Sequence, residues 1–243
     1  MGLTDATLTA TIPSVVATLR QSTSSNRELA VAIHDYVRDT VRFGFTKRHD
    51  TADAAYTLQR QVGHCTPKTE LFCALLRQAG FQDATIVTVP IPGQVLRFLG
   101  PKESSPFPSQ LQHCFTEVTV DGTLCRVDSY VVDTSLYDGV RSKLIQRNKD
   151  SKDVGEEVSS GYGIHLAGTT HWNGDGDAFI QYVQSTHTPE LEMRYRSHQD
   201  VVKSSGYLHS DLMSILGIPV LGWFMGRFLE GCNGHMDALR AAG

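Results

Sequence analysis

The sequence lacks a surplus of basic residues. It contains 22 Lys and Arg against 26 Asp and Glu, which gives a formal net charge of −4 and a pI near 6.2. Proteins that bind nucleic acids neutralise the phosphate backbone with Lys and Arg, so a chain of this charge balance is not expected to do so as its main function. The partner that we expect is not a nucleic acid.

Long apolar runs are also absent. The longest uncharged apolar stretch, residues 212–226, has about 15 residues and contains Pro219, whereas a membrane span needs roughly 20. The first six residues have no basic segment and no apolar segment, and Ala6 stands where a myristoylation signal has Ser or Thr. We therefore expect no membrane span and a cytoplasmic protein.

Cysteine is scarce, and its count is odd. Five cysteines in 243 residues, of which 40% are hydrophobic, do not indicate a small fold that disulfides must stabilise. At least one thiol stays unpaired within the monomer. This leaves a cysteine available for chemistry.

Motifs for common cofactors and metals are missing. There is no phosphate-binding P-loop and no dinucleotide-binding glycine fingerprint. Residues 173–177 resemble the start of a calcium loop, but Ala178 and Gln184 occupy the positions that need Gly and an acid. Ten histidines are present without a Cys-x-x-Cys or His-x₃-His spacing, so we expect no metal and no cofactor.

The patterns along the chain predict helices and strands in succession. One apolar face predicts a helix that is capped by Ser25 or Asn26. A second helix is predicted to begin near Cys65, with Pro67 in its first turn, and to stop at Gly80. Strands are predicted at 84–89, 113–120 and 123–128. These elements indicate an α+β fold in which the helix that begins near Cys65 packs on an antiparallel sheet.

Composition also suggests how the chain divides. Residues 139–157 are polar and charged and are typical of a linker, and residues 93–110 indicate a long functional or disordered loop. We expect a core over residues 1–140 and a C-terminal extension over 141–243, packed on the core as one unit. The apolar stretch 212–228 favours a buried helix pair that is broken at 217–219, with a substrate pocket or dimer contact as the alternative.

Cys65, His113 and Asp128 form the pattern that carries chemistry. A thiol at the start of a helix is stabilised as a thiolate by the helix dipole and the unpaired N–H groups there, and a nucleophilic thiol needs a base and an orienting acceptor. If Asp121-Gly122 is a two-residue turn, Phe115 lies opposite Asp128, so that His113 and Asp128 share a face of the hairpin. A three-residue turn would separate them.

The other cysteines fit a structural reading. Cys73 lies within the apolar stripe of its predicted helix, and Cys114 and Cys125 alternate with His113 and Asp128, so their side chains should face a core. Nothing in the pattern assigns Cys232 a place.

The segment from Gly63 to Lys68 (GHCTPK), followed by Leu71 to Gly80 (LFCALLRQAG), resembles the core motif of the transglutaminase-like superfamily. The segments Tyr36–Phe43 and His113–Val118, together with Asp128, are similar to its preceding helix and its His and Asp motifs. The resemblance covers about residues 27 to 135. It implies a papain-like α+β fold with Cys65 as nucleophile, His113 as base and acid, and Asp128 as the residue that orients the imidazole.

Some positions depart from the family pattern or leave a choice open. The family often has an aromatic residue directly after its His, whereas here Cys114 separates Phe115 from His113. Asp133 could replace Asp128 as the orienting carboxylate if the register differs. The oxyanion donors are expected to be the backbone N–H of Cys65 and a side-chain amide of Gln59 or Gln61.

The resulting expectation is thiol-dependent acyl transfer or amide hydrolysis through a thioester on Cys65, acting on an acyl- or amide-bearing peptide or small molecule. Two alternatives stay open. One is a biosynthetic enzyme that uses the same site for cyclisation or condensation, and the other is a non-catalytic binding module on this fold. The sequence does not indicate an oligomeric state.

Overall fold

Helices and one antiparallel sheet build the part of the chain that the structure describes. The structure, a computed structural model, describes residues 10–96, 99, 109–150, 163–164, 168–180, 189–204 and 219–243. Its helices are α1 (Ile12–Gln21), α2 (Asn26–Thr40), α3 (Ala54–Arg60), α4 (Cys65–Gln78), α5 (Thr134–Asp150), α6 (His198–Lys203) and α7 (Pro219–Ala241). Its strands are β1 (Arg42–Phe43), β2 (Val62–Gly63), β3 (Thr85–Pro92), β4 (Gln110–Val120), β5 (Thr123–Val127) and β6 (Met193–Tyr195).

The main sheet has the strand order β5-β4-β3-β6, and each described pair within it is antiparallel. Strands β1 and β2 pair separately and in parallel. Helix α4 packs against β4, at the centre of the sheet. The predicted α+β class, with the Cys65 helix on an antiparallel sheet, is confirmed.

The hairpin between β4 and β5 has the predicted two-residue turn. Val120 pairs with Thr123, and Thr116 pairs with Val127, so the register continues toward Phe115 and Asp128. Asp121 and Gly122 both have positive φ, 47° and 85°, as a two-residue turn of this kind requires. The local turn chemistry therefore sets which residues share a face.

Helix α2 begins and packs as its sequence predicts. The Ser25 side chain accepts a hydrogen bond from the Glu28 backbone N–H, which satisfies one of the unpaired donors of the first turn. Four members of the predicted apolar face (Leu29, Ile33, Val37 and Val41) are buried in the largest hydrophobic cluster, together with the stripe of α4, and the fifth, Tyr36, is partly buried against it. Burial of these two faces against each other positions the N-terminus of α4.

The predicted linker is wrong for residues 139–150, which lie within helix α5. Leu136, Val140 and Leu144 recur every four residues and are fully buried, so one narrow stripe packs although most of the sequence is polar. This face contacts α7, and the predicted boundary at 140/141 falls inside the helix. Residues 151–157 lie outside the described residues.

The contact between α5 and α7 depends on Gly139. A Cβ atom there would lie only 2.7 Å from the carbonyl carbon of Leu239, closer than real Cβ atoms approach. We expect Gly139→Ala to lower the free energy of unfolding by about 1–3 kcal/mol, because overpacking outweighs the better helix propensity of Ala. Urea unfolding followed by circular dichroism measures the change.

Gly234→Ala is the matched control for that substitution. Gly234 is exposed in α7, and nothing lies within 4 Å of a Cβ atom built there. Ala at this position should raise the free energy of unfolding by up to about 1 kcal/mol. If both substitutions stabilise the protein, the helices do not meet through Gly139.

The apolar C-terminal stretch is not buried throughout. Trp223 and Phe224, in the first turns of α7, are 57% and 61% exposed, which corrects the predicted buried helix pair for this part. Residues 212–218 lie outside the described residues, as do most of the predicted loop 93–110 and residues 1–9. Among the helices that the structure describes, none has the length and apolar character needed to cross a membrane.

Candidate active site

Cys65 is the first residue of α4, and its side chain is half-buried. The preceding residue, His64, is the N-cap, and its side chain makes no capping hydrogen bond. The N–H groups of the first helical turn therefore have no side-chain acceptor from the cap. The positive end of the helix is directed at the thiol, which favours its ionised form.

Lys68 fixes the beginning of α4 against the end of α2. This side chain is fully buried, which is rare for lysine, and its Nζ donates to the carbonyl oxygens of Val41, at 2.5 Å, and Arg38, at 3.4 Å. Burial lowers the pKa of Lys68 to about 7, although the negative charge of Asp133 opposes this shift. Lys68 thus satisfies the last carbonyls of one helix while it positions Cys65 on the next.

His113 on β4 and Asp128 directly after β5 form a buried pair. His113 Nε2 lies 2.9 Å from Asp128 Oδ2, and neither side chain is exposed. The other carboxylate oxygen of Asp128 accepts a hydrogen bond of 2.5 Å from the Ile180 backbone N–H. The carboxylate is held on both sides and orients the imidazole, whose Nδ1 edge is left for the thiol.

The pKa values of the thiol and the imidazole shift in opposite directions. The neighbouring Cys114 side chain, together with His113 and His64, outweighs burial and holds the pKa of the Cys65 thiol well below its ordinary value. Burial opposes the charge on His113, but its hydrogen bond to Asp128 and the nearby Cys65 raise its pKa to about 9. At neutral pH these shifts favour a thiolate beside an imidazolium.

The alternation of Cys114 with His113 suggested only a core residue, but Cys114 also lies close to the Cys65 thiol. It is buried on the side of the sheet that faces α4, and its thiol lies 3.4 Å from the hydroxyl of Thr66. Its interaction with the neighbouring Cys65 is the main reason that the pKa of the Cys114 thiol is raised well above its ordinary value. Cys114 therefore stays protonated and can donate to the Cys65 thiolate.

The three remaining cysteines are structural. Cys73, Cys125 and Cys232 are fully buried in hydrophobic clusters, as predicted for the first two. Burial raises the pKa of Cys73 to about 11 and that of Cys232 to about 12. Thiols of this kind do not ionise at neutral pH, and Cys65 is the one cysteine of the five whose thiol pKa is lowered.

A second imidazole lies on the other side of the Cys65 thiol. His64 Nδ1 is 3.8 Å from Cys65 Sγ, and His64 Nε2 is 3.5 Å from Asp50 Oδ1. His49 Nδ1 lies 2.6 Å from Asp50 Oδ2. These three residues are buried, and their ligand atoms lie within 4.8 Å of one another, so they could hold a metal ion.

The other predicted site residues lie elsewhere. Gln59 and Gln61 are both exposed, at the end of α3 and at its left-handed cap, and no contact described for the Cys65 thiol involves either. Asp128, rather than Asp133, is the carboxylate that contacts His113. Asp133 instead bonds Arg240 and the backbone N–H of Phe43.

Sequence reasoning missed His64 and Cys114 as neighbours of the thiol, and Asp50 as the carboxylate beside His64. The available signal was the adjacency of His and Cys in both pairs, His64-Cys65 and His113-Cys114. His64 directly precedes Cys65 as the cap of α4, and Cys114 directly follows His113 on β4, so each lies near the thiol.

Comparison with known proteins gives one match. Residues 13–129, just under half of the 243 residues, match the family model of the transglutaminase-like superfamily. The match contains α2, α4, the β4–β5 hairpin and the three residues Cys65, His113 and Asp128. Neither the curated proteins nor the solved structures gave a match. The resemblance predicted from the motifs is confirmed for this part of the chain.

Proposed function

We propose that the chain, whose residues 13–129 form a transglutaminase-like core, is a thiol enzyme that transfers acyl groups or hydrolyses amides. Cys65 is the nucleophile, His113 the proton carrier, and Asp128 the residue that orients His113. The observation that carries the proposal is the convergence of a helix-start thiol with a buried His–Asp pair.

The proposed reaction has two halves. The Cys65 thiolate attacks the carbonyl carbon of an amide or related acyl group, and the leaving amine takes a proton from the His113 imidazolium. This leaves a thioester and a neutral imidazole. Water or a second amine then attacks the thioester while His113 removes its proton, which regenerates the thiolate and the imidazolium.

The electrostatics favour this division of roles. The pKa of Cys65 is lowered and that of His113 is raised to about 9, so the pair supplies both a charged nucleophile and an acid near pH 7. The tetrahedral oxyanion would form beside the first turn of α4, where the Cys65 backbone N–H is a natural donor.

Selective alkylation tests the nucleophile. At pH 6, iodoacetamide should modify Cys65 at least about tenfold faster than the other four cysteines, because a thiolate reacts and a protonated thiol does not. Intact-mass spectra should show a single adduct, and peptide mapping should place it on Cys65. In urea all five cysteines should react, which confirms that burial protected the other four.

Cys65→Ala is the control variant. Ala is well tolerated in a first helical turn, so the unfolding midpoint should change little while rapid alkylation is lost. Equal and slow labelling of all five cysteines would refute the proposed nucleophile and leave a binding module as the better account of this fold.

An activated acyl donor tests the chemistry itself. Incubation with an aryl ester should acylate Cys65, and added primary amine should then release the acyl group faster than water alone if the enzyme is a transferase. Release that the amine does not accelerate would indicate hydrolysis. If the aryl ester does not acylate Cys65 but iodoacetamide still modifies it rapidly, the thiol is reactive and the protein has no acyl-transfer activity.

A further inference from the structure

The cluster formed by His49, Asp50 and His64 has no assigned role in the proposed reaction. His49 and Asp50 belong to the 3₁₀ turn His49–Thr51, and His64 precedes α4. The three side chains come from two segments of the chain and are at least nine-tenths buried, with exposures of 5%, 0% and 5%. A buried group of two imidazoles and a carboxylate requires an explanation, because each ionisable group loses hydration there.

One atom of the cluster points to a ligand. His64 Nε2 is buried and makes no hydrogen bond with the residues that the structure describes, although it lies 3.5 Å from Asp50 Oδ1. Most buried polar atoms have a partner, so this nitrogen is an exception. This nitrogen lies beside the Asp50 carboxylate within the cluster, where the centroids of the His49 and His64 rings are 4.4 Å apart.

The spacing fits a metal ion. Zinc binds imidazole nitrogen and carboxylate oxygen at about 2.0–2.2 Å, which places two tetrahedral ligands about 3.3 Å apart. The 3.5 Å between His64 Nε2 and Asp50 Oδ1 is close to that value, and all three ligand atoms lie within 4.8 Å.

The donor set favours one class of cation. Two imidazoles and one carboxylate are typical ligands of zinc and of other divalent transition metals, whereas calcium and magnesium prefer oxygen ligands alone. We propose that His49, Asp50 and His64 form a binding site for a divalent transition-metal cation, for which Zn²⁺ is the probe.

Such an ion would connect two parts of the active region. It would join the turn at His49 to the residue that precedes Cys65, and coordination through Nε2 would keep the Nδ1 edge of His64 toward the thiol, 3.8 Å away. The site does not depend on the proposed acyl-transfer chemistry, since Cys65 is not one of its ligands.

Zinc binding by the full chain tests the site. The protein is prepared as Cys65→Ala and freed of metal with a chelator, so that the active-site thiol cannot bind zinc. Titration against a competing zinc indicator should show one ion per chain. His64→Asn should weaken that binding at least about tenfold, because it removes a ligand. His171→Asn, a change at an exposed histidine outside the cluster, should leave it unchanged.

A spectroscopic measurement keeps the test decisive if His64→Asn fails to fold. Co²⁺ added to the protein with Cys65 intact should give d–d bands of a nitrogen and oxygen site without a thiolate-to-cobalt charge-transfer band. The proposal is overturned if no ion binds, if binding disappears in Cys65→Ala, or if the charge-transfer band is present. Equal weakening by His171→Asn would also overturn it, as this would indicate surface binding.

Discussion

Replacing His113 by Asn is expected to slow the alkylation of Cys65 at pH 6 by about 10- to 100-fold. An ordinary thiol with a pKa near 8.5 is only about 0.3% ionised at pH 6, whereas the Cys65 pKa is held well below that value in part by His113. Losing the imidazolium returns the thiol toward ordinary behaviour. The higher nucleophilicity of a more basic thiolate offsets a part of the loss. Iodoacetamide kinetics followed by intact mass measure the change.

The pH profiles separate the two roles of His113. In the unchanged protein, alkylation should stay nearly constant from pH 6 to pH 8, because the thiolate is already formed. Acyl transfer should decline above about pH 9, where the imidazolium, whose pKa is about 9, loses the proton that the leaving group needs. In His113→Asn, alkylation should instead rise with pH toward the ordinary thiol value.

Two further variants show whether the effect is specific. Asp128→Asn should give a smaller change in the same direction, because it keeps the imidazole but removes the carboxylate that raises the pKa of His113. His171→Asn, at an exposed position, should change nothing. If His113→Asn alkylates as fast as the unchanged protein while remaining folded, His113 does not sustain the thiolate.

The parts of the site that sequence reasoning predicted are those set by local rules. The Asp121-Gly122 turn fixes the register of its own hairpin, so the pairing that brings His113 near Asp128 could be worked out from the strands. The start of α4 at Cys65 follows from Pro67 and the apolar stripe in the same way. Each prediction needed only residues within a few turns of one another.

The parts that could not be predicted depend on how distant elements pack. The position of Cys114 beside Cys65 requires the docking of α4 on β4, and alternation along the strand shows only which face the thiol takes. The contact of Asp50 with His64 depends on a turn in which His49 has a positive φ of 43°, a conformation that a histidine rarely adopts.

Helix α5 shows the same limit at the level of the fold. Its polar composition suggested a linker, because a stripe of three apolar residues is a weak signal until its partner is known. The partner is α7, more than sixty residues later in the chain. Composition could not reveal that a helix so far away would pack against α5, in which Leu136, Val140 and Leu144 are buried.

Replacing Asp133 by Asn is expected to cost about 3–5 kcal/mol in the free energy of unfolding, the usual cost of removing one partner of a buried ion pair. Asp133 is 2% exposed and accepts hydrogen bonds from Arg240 at 2.7 and 2.9 Å and from the Phe43 backbone N–H at 2.9 Å. Asn would leave the largely buried guanidinium with only the half-exposed carboxylate of Asp237 as a charged partner. Urea unfolding measures the loss.

The exposed pair Arg42–Asp237 is the control. Both side chains are 54% exposed, and a pair of that kind contributes at most about 1 kcal/mol, so Arg42→Ala should change stability little. Equal losses in the two variants would show that burial does not strengthen the Asp133 pair.

The acid side of the stability profile gives an independent test of Asp133. Burial raises the pKa of this carboxyl, but the positive charges of Arg240 and Lys68 lower it by a larger amount. The net pKa is therefore well below that of an unfolded aspartate. A group with a lowered pKa stabilises the fold above its unfolded pKa, near 4, and this contribution is lost as the pH falls toward the folded pKa. Asp133→Asn should therefore show a weaker loss of stability between pH 5 and pH 2 than the unchanged protein. Parallel acid profiles would mean that Asp133 titrates normally. The contacts of Asp133 with Arg240 and with the Phe43 backbone would then owe their strength to hydrogen bonds and not to charge.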